Sequence, residues 1–590
     1  MALPNTNIGL KPLTSVQRIR IWYGLLLLVV AIFVVRLFYI QVIRYDHYKT
    51  AALNGQLKQY DIPAARGIIL ARDGSQTVPI VLNVQLYTLY ADPTFIKSPD
   101  KVAIKLASII GGNAETYRDL LSSKSRRYVI LAKKITGEQQ ARVLALKYPG
   151  VGAQAQNYRT YPQGALAAQE LGFVSDSGVG EYGVEQALNS QLSGVPGQLK
   201  AITDVSGVPL AASRDNVETQ PVDGQDVTLT IDLAMQHQLE AILARTATKT
   251  KTVRASAVIM DVKTGAIRAM ANFPTFDPAK YYDVEDSSVF QNAAVSDPIE
   301  PGSIMKVLTT AAGIDQGAFS PNVTYYDPGR WVIDGFTIKN IEEDGGAGTK
   351  SLTDLLNLSL NTGATWELMQ MGGGEINTQA RARWYDYLAN RYMFGKATGI
   401  EQGYESPGLV TGPKDNGSAI NLTYAETAFG QAILITPVQM AAALSTVLNG
   451  GTYYQPRLVD SYTDTNGKTT PVQPKIVRSD ALKVSTGQSI IPMLQYSIDH
   501  HGPVPAFDQN RYIVGGKTGT AELAVNGVYS KTQYNGTYLG FVGGNEVEYV
   551  ICVYMQKPVV DYYAGTAAAQ PVFVDLAHML INNSYVTPKH

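Results

Sequence analysis

From Ile21 to Val35 every residue is apolar, aromatic or glycine, and after Arg36 the run resumes as Leu37-Phe38-Tyr39-Ile40. Nothing else in the chain restricts its folding so strongly. Ile21–Ile43 is 23 residues long, close to the ~20 that a helix needs to cross the hydrocarbon of a bilayer. Arg36 interrupts the run near its far end, where a long side chain can snorkel toward the headgroups. Lys11, Arg18 and Arg20 precede the run and no acid comes before Asp46. This asymmetry predicts a cytoplasmic tail over residues 1–20, an anchor over 21–43 and an extracytoplasmic remainder. A secretory signal peptide is the competing reading. No small-x-small cleavage site follows the run, so an uncleaved anchor is expected.

The remaining length predicts several folded units, since domains run to roughly 100–200 residues. Lysine and arginine number 49 against 50 aspartates and glutamates. That balance offers neither a basic surface for nucleic acid nor an acidic tail. The single cysteine, Cys552, lies in the apolar run Tyr549–Tyr554 and reads as a buried, inert thiol.

Residues 44–222 mix short strand-like runs (Ile80–Leu82, Leu86–Tyr90, Tyr128–Leu131) with helical stretches over 101–110 and 137–146. Pro221-Val222-Asp223-Gly224 marks a boundary. Beyond it, 226–231 alternates as a strand and Asp232 is placed to cap a helix through Met235, Leu239, Ile242 and Leu243. Residues 255–260 and 266–271 form a hairpin around Lys263-Thr264-Gly265. Helices are expected from Ser303 to about Leu448, then strands at 512–514, 538–542 and 549–554 and a closing helix near 572–581. Strands at both ends of a helical middle predict an α+β sheet domain with a helical lobe, and a cleft between them for a ligand.

Three short motifs carry chemistry: Ser303-Ile304-Met305-Lys306, Ser359-Leu360-Asn361 and Lys517-Thr518-Gly519-Thr520. Each pattern also occurs as a decoy, at Ser98–Lys101, Ser320-Pro321-Asn322 and Lys263-Thr264-Gly265. Context separates them. Ser303 opens an apolar helix on which Lys306, three residues on, shares its face, and backbone amides there favour developing negative charge. Ser98 has Pro99 next and no comparable helix behind it. Ser320 reads as a turn after Gly317. Lys517 follows a credible strand, whose glycines allow a ligand's backbone to come close.

A serine hydroxyl is a poor nucleophile until a base takes its proton, and a lysine depressed by burial and neighbouring cations can do so. Lys306 is placed for that role, with Lys517 as the neighbouring cation. Ser359 can relay a proton toward a leaving amine, and Asn361 can hold a substrate amide or Lys306. Thr518 and Thr520 share a strand face and can offer hydroxyls to a carboxylate. Backbone N–H groups of Ser303 and Thr520 would make an oxyanion hole.

The set resembles class B penicillin-binding proteins, and especially the division-specific (septal) transpeptidases. Arg66-Gly67-Ile68-Ile69 with Arg72-Asp73-Gly74 looks like the family's juxtamembrane motif. Gly183-Val184-Glu185 with Leu192–Gly197 looks like the end of its pedestal. Val295-Ser296-Asp297 with Glu300-Pro301-Gly302-Ser303, and Gly430-Gln431 with Thr436–Gln439, match its catalytic domain. Tyr562–Gly565 with Ala569–Phe573 is similar to the septal branch. The resemblance implies a penicillin-binding α+β transpeptidase domain over 223–590, an elongated α/β pedestal (dimerisation-type domain) over 44–222, and one transmembrane helix. It implies a D,D-transpeptidase acting on D-alanyl-D-alanine stem peptides of lipid II-derived strands, with Thr518, Gly519 and Thr520 binding substrate and β-lactams, and no metal or cofactor. Its partners would be a polytopic glycan polymerase and other division proteins.

Three rivals keep the same motifs: an elongation-specific transpeptidase, a β-lactamase and a non-catalytic β-lactam sensor. Glu185–Asn189 mimics a deacylating Glu-x-x-Leu-Asn pattern, but it precedes the serine and falls in the pedestal. Asp499-His500-His501 lacks a further spaced ligand and reads as a polar loop rather than a metal site.

Overall fold

The computed structural model describes residues 14–45, 47–48, 57–202, 217–340, 346–414, 417, 419–502, 504, 506–525, 528–561 and 563–589. Lys11, Asp46 and Tyr562, used in the sequence reading, lie outside the described residues. The N-terminal apolar run is one helix, Ser15–Phe38, continued by a wider turn over Tyr39–Ile43. It is long and apolar enough to cross a membrane and buries none of its residues against protein.

Contacts within the chain gather Ala65–Gly194 with Asp223–His590 in one unit, and Met1–Ala64 with Val195–Val222 in another. In the second unit, Leu57–Ile62, Gly197–Ile202 and Val217–Thr219 pair as a three-stranded sheet. Among the described residues the large unit holds two large sheets and several two-stranded ones.

The first runs in the order Thr469–Pro471, Val459–Thr463, Asp226–Asp232, Ile69–Asp73, Gln76–Ala91 and Val129–Ile135, with Val151–Thr160 also on Gln76–Ala91. Asp226–Asp232 lies parallel to Ile69–Asp73 and antiparallel to Val459–Thr463. Both short runs expected over 80–90 fall within the single strand Gln76–Ala91. Helices Pro99–Ile110 and Ala114–Ser122 bury Leu106 and Leu121 against Leu89 and Leu131. Arg66, at the start of the large unit, and Arg159 grip the two oxygens of the fully buried Glu185 carboxylate.

The second sheet is antiparallel, in the order Ile267–Phe273, Arg254–Asp261, Val547–Gln556, Val528–Gly543 and Ile513–Val525. Alternate residues serve its two faces, as the pleat requires. Ala257, Ile259 and Val553 pack on helices Leu233–Lys249 and Gln570–Asn582. Val258, Met260 and Cys552 meet the helical lobe, including Met305, Leu308 and the buried helix Pro437–Leu448. Asp232 caps the first of these helices by accepting from the Met235 amide at 2.9 Å. Burial pushes the Cys552 thiol up to about 12, the inert state expected of it.

The helical middle also holds small strands that the sequence reading left out. Arg330–Ile333 and Phe336–Lys339 form a hairpin, and Thr324–Asp327 pairs with Gly348–Ser351. The last two strands of the main sheet are 13 and 16 residues long and extend well past the runs expected around 513 and 540.

Candidate active site

Ser303 sits in a tight turn, Gly302–Ile304, that leads straight into helix Met305–Asp315. Gly302 has φ +63°, a conformation that glycine adopts without a steric penalty. Its N–H donates to the Gly430 carbonyl at 2.9 Å. Thr537 Oγ1 donates to the Pro301 carbonyl at 2.8 Å, which ties this lead-in to the sheet. The strand carrying Lys517–Thr520 passes so close that a Cβ on Gly519 would stand 2.2 Å from Thr537 Oγ1 and 3.0 Å from the Pro301 carbonyl.

Ser359 occupies the turn between helices Leu352–Asn357 and Asn361–Met371. Ser351 and Asp354 form a capping box at the start of the first helix. The Leu360 N–H reaches back to the Leu355 carbonyl at 3.0 Å, the six-to-one bond that closes a helix through a left-handed residue. That residue is Ser359, at φ +59°, where glycine is the usual occupant.

The reason lies across the turn. Lys306, fully buried, places Nζ 2.5 Å from the Ser359 carbonyl oxygen, 3.2 Å from Ser359 Oγ, 2.8 Å from Asn361 Oδ1 and 2.9 Å from Ser303 Oγ. Two residues from each of two motifs, 53 to 55 positions apart, thus meet on one nitrogen. Asn361 Nδ2 also donates to the Lys339 carbonyl at 3.4 Å, so the Arg330–Lys339 hairpin backs this turn.

Ser303, Ser359, Asn361, Thr518 and Thr520 line one cavity of about 100 Å³, together with Gly302, Phe429, Gln431, His501, Tyr563 and Thr566. Lys517 is 1 % exposed on the same strand and holds the Thr518 carbonyl at 3.0 Å. Thr520 Oγ1 accepts from the Gly565 N–H at 3.2 Å. The residues named from sequence are therefore gathered at one place, with Lys306, Lys517 and Gly519 packed behind the cavity wall. A larger cavity of about 670 Å³, lined by Asp315, Arg383, Asp386, Arg391 and Lys483, brings none of them together.

His501 went unassigned by sequence reasoning. It follows helix Val484–His500 and lines the cavity rather than sitting in a free polar loop. Burial and the Lys517 charge push its imidazole down to about 4, against a bond to the Asn357 backbone. The ring is neutral at physiological pH. Its one sequence signal is position, 16 residues before Lys517. Phe429 and Thr566 carried no signal. Among the described residues no group of three or more His, Cys, Asp or Glu side chains converges to hold a metal.

The decoy motifs lie apart from this cavity. Ser98 precedes helix Pro99–Ile110, the helical stretch expected over 101–110, and Lys101 on it is exposed. Ser320 makes a turn to the Asn322 N–H. Lys263-Thr264-Gly265 closes the hairpin after Asp261, with Gly265 at φ +67°. Glu185 is held by its two arginines and contributes nothing to the cavity.

Chemically, the arrangement sets a half-exposed hydroxyl beside a water-excluded amine, with a second hydroxyl on the same amine. A strand edge bearing two threonines forms the opposite wall. That is the equipment of acyl transfer through a serine ester.

Residues 255–578 match the sequence model of the penicillin binding protein transpeptidase domain, and residues 61–229 that of the penicillin-binding protein dimerisation domain. The stage V sporulation protein D of Bacillus subtilis is 29% identical over 541 residues, covering 91% of this chain and 81% of its own. The penicillin-binding protein PbpB of Mycobacterium tuberculosis is 29% identical over 612 residues, covering 98% and 87%. Among solved structures, penicillin binding protein 3 of Mycobacterium tuberculosis, complexed with ampicillin, superposes with a TM-score of 0.67 at 24% identity, covering 90% of this chain and 97% of that one.

Proposed function

The chain belongs to the penicillin-binding protein transpeptidase family and is a serine D,D-transpeptidase; from that premise we propose that Ser303 carries the acyl group in the cross-linking of peptidoglycan stem peptides. The Lys306 amine takes the Ser303 proton as Oγ attacks the carbonyl of the penultimate D-alanine. Backbone N–H groups of Ser303 and Thr520 take the oxyanion, an effect worth roughly 3–4 kcal/mol per donor. The proton then passes from Lys306 through the Ser359 hydroxyl to the departing D-alanine nitrogen. An amine from a second stem peptide attacks the ester, and its proton returns to Ser303 by the same groups. Asn361 holds Lys306 in place, while Thr518 and Thr520, with Lys517 behind them, receive the substrate carboxylate.

The observation that carries this reading is the bonding of Lys306 Nζ, which joins Ser303 Oγ at 2.9 Å to Ser359 Oγ at 3.2 Å. A β-lactam presents a strained amide and a carboxylate of the same spacing, so it acylates Ser303 and inhibits the enzyme.

The same reading extends to the whole chain. Residues 21–43 anchor it in the cytoplasmic membrane with 1–20 inside. Residues 44–222 form the pedestal that meets a polytopic glycan polymerase and other division proteins, and 223–590 the catalytic domain outside. The likeness of Tyr563-Ala564-Gly565 and Ala569–Phe573 to the septal branch favours cell division over elongation.

Intact-mass measurement after incubation with a penicillin, followed by peptide mapping, tests the assignment. One acyl group is expected, on Ser303, and none on Ser303→Ala. An unmodified wild-type chain, or an adduct on another residue, overturns it.

A further inference from the structure

Behind Lys306 the helical lobe encloses a group that the acyl-transfer scheme does not use. Glu367, on helix Asn361–Met371, is 0 % exposed, and neither carboxylate oxygen has a hydrogen-bond partner. Buried polar groups are almost always paired, so a carboxyl left unpaired in a packed interior calls for an explanation. Two more unpaired buried oxygens belong to the same region, Thr310 Oγ1 and the Tyr325 hydroxyl.

Lys306 and Thr310 are four residues apart on helix Met305–Asp315 and share a face. Helix Asn361–Met371 packs on helix Met305–Asp315, and Glu367 lies near enough to Thr310 and Lys306 to feel both, although neither of its oxygens closes a hydrogen bond. Burial pushes the Glu367 carboxyl well above the usual range, while Thr310 and the Lys306 charge pull it back.

The bonding of Lys306 can serve the amine in either protonation state. Two of its neighbours, the Ser359 carbonyl and Asn361 Oδ1, only accept, whereas the hydroxyls of Ser303 and Ser359 can donate to a nitrogen lone pair.

We infer that Glu367 is a positioning residue for the acyl transfer, sharing one proton with Lys306 and so setting the pH at which Lys306 becomes a base. This rests on the Lys306 role proposed above. With the proton on Glu367 both side chains are neutral and Lys306 can accept from Ser303. With the proton on Lys306 both are charged and the amine is blocked. No atom beyond that one proton moves, and the two groups titrate as a pair.

The other charged groups on neighbouring elements are engaged elsewhere. Asp315 takes the Tyr387 hydroxyl and Thr486. Arg383 holds the Met371 carbonyl. Glu426 faces Glu300. Asp327 accepts from Thr362, and Asp354 caps its own helix. Lys339 and Arg330, on the hairpin, are exposed. Tyr325 senses Glu367 along with Asp327 and Asp354, and its hydroxyl is held up by burial and these charges.

The test is the second-order rate of acylation of the full chain by a penicillin, in detergent, followed from pH 5 to 10. Removing an ionisable carboxyl can only ease proton loss from a neighbouring amine. Glu367→Gln should therefore shift the acid limb at least about half a pH unit lower. The plateau rate should stay within about threefold of wild type. Thr310→Val removes a hydroxyl that favours the carboxylate, and should move the limb the same way by less; it decides the matter if Glu367→Gln does not fold. An acid limb that coincides with wild type in the folded variants overturns the inference and leaves the transpeptidase reading intact. A wild-type chain with no adduct on Ser303 overturns both.

Discussion

Lys306 takes both oxygens of Ser359, the carbonyl at 2.5 Å and the hydroxyl at 3.2 Å, and it can do so only because Ser359 is left-handed at φ +59°. A side chain in that conformation costs roughly 1 kcal/mol relative to glycine. Strain of this kind persists where function holds it in place. Ser359→Gly should therefore raise stability by about 0.5–1 kcal/mol while lowering acylation by a penicillin at least about 100-fold through loss of the relay hydroxyl. Thermal unfolding and stopped-flow acylation on one preparation check the pair. A variant that loses both, or keeps both, contradicts the strained-relay account.

Gly519→Ala examines the closeness of the strand to the serine turn. The added methyl would stand far inside contact distance of Thr537 Oγ1, at 2.2 Å, and tight against the Pro301 carbonyl, at 3.0 Å. We expect about 1–3 kcal/mol of destabilisation from overpacking and a larger fall in acylation rate than in stability. Wild-type acylation in the alanine variant would mean that the strand has room to yield.

Glu185 lies between Arg66 and Arg159, all three almost wholly out of water. Removing one member of a buried ionic cluster leaves charge without compensation, at a cost of about 3–5 kcal/mol. Glu185→Ala should lose that much in urea unfolding. If the residue served as a deacylating base instead, the same variant would keep its stability and hold the penicillin adduct longer.

Glu426 is pushed up to about 7 by burial and then by the charge of Glu300. Its folded-state pKa exceeds the unfolded one, so it stabilises the fold at acid pH and that contribution drains away as pH rises from about 4.5 through 7. Glu426→Gln is neutral throughout and escapes this loss. Relative to wild type it should gain about 1–2 kcal/mol between pH 4.5 and 8, allowing for partial exposure. A melting-temperature difference that stays flat across that range removes the shifted carboxyl from the account.

Much of the proposed catalytic cavity was legible because its spacing is local. Ser303 with Lys306, and Lys517 with Thr518 and Thr520, are set by helix and strand spacing within a few residues. Glu367 and His501 were not legible, since neither sits in a pattern; only the folded chain shows what each lies beside. The hairpin Arg330–Lys339 was overlooked although its turn, Asp334-Gly335, with φ of +46° and +87°, is a strong hairpin signal between apolar pairs. The expectation that helical stretches dominate from Ser303 to about Leu448 outweighed it. The sheet strands were found but drawn short, because Gly515, Gly516 and Gly519 dilute the apolar alternation at the stretch where strand and serine turn must nearly touch.

Arg72 and Asp460 are joined by a 2.6 Å ion pair across 388 positions of sequence, and the strands bearing them flank Asp226–Asp232 on its two sides. That sheet is complete only once residue 471 has been made, and Asp226–Asp232 finds its partner on the Val459–Thr463 side only once residue 463 has. Until then the outer edge of Asp226–Asp232 offers unpaired amides and carbonyls to any passing strand. A nascent polypeptide halted near residue 450 would thus be an aggregation hazard at the membrane surface, even with its serine, its lysine and most of its core already synthesised.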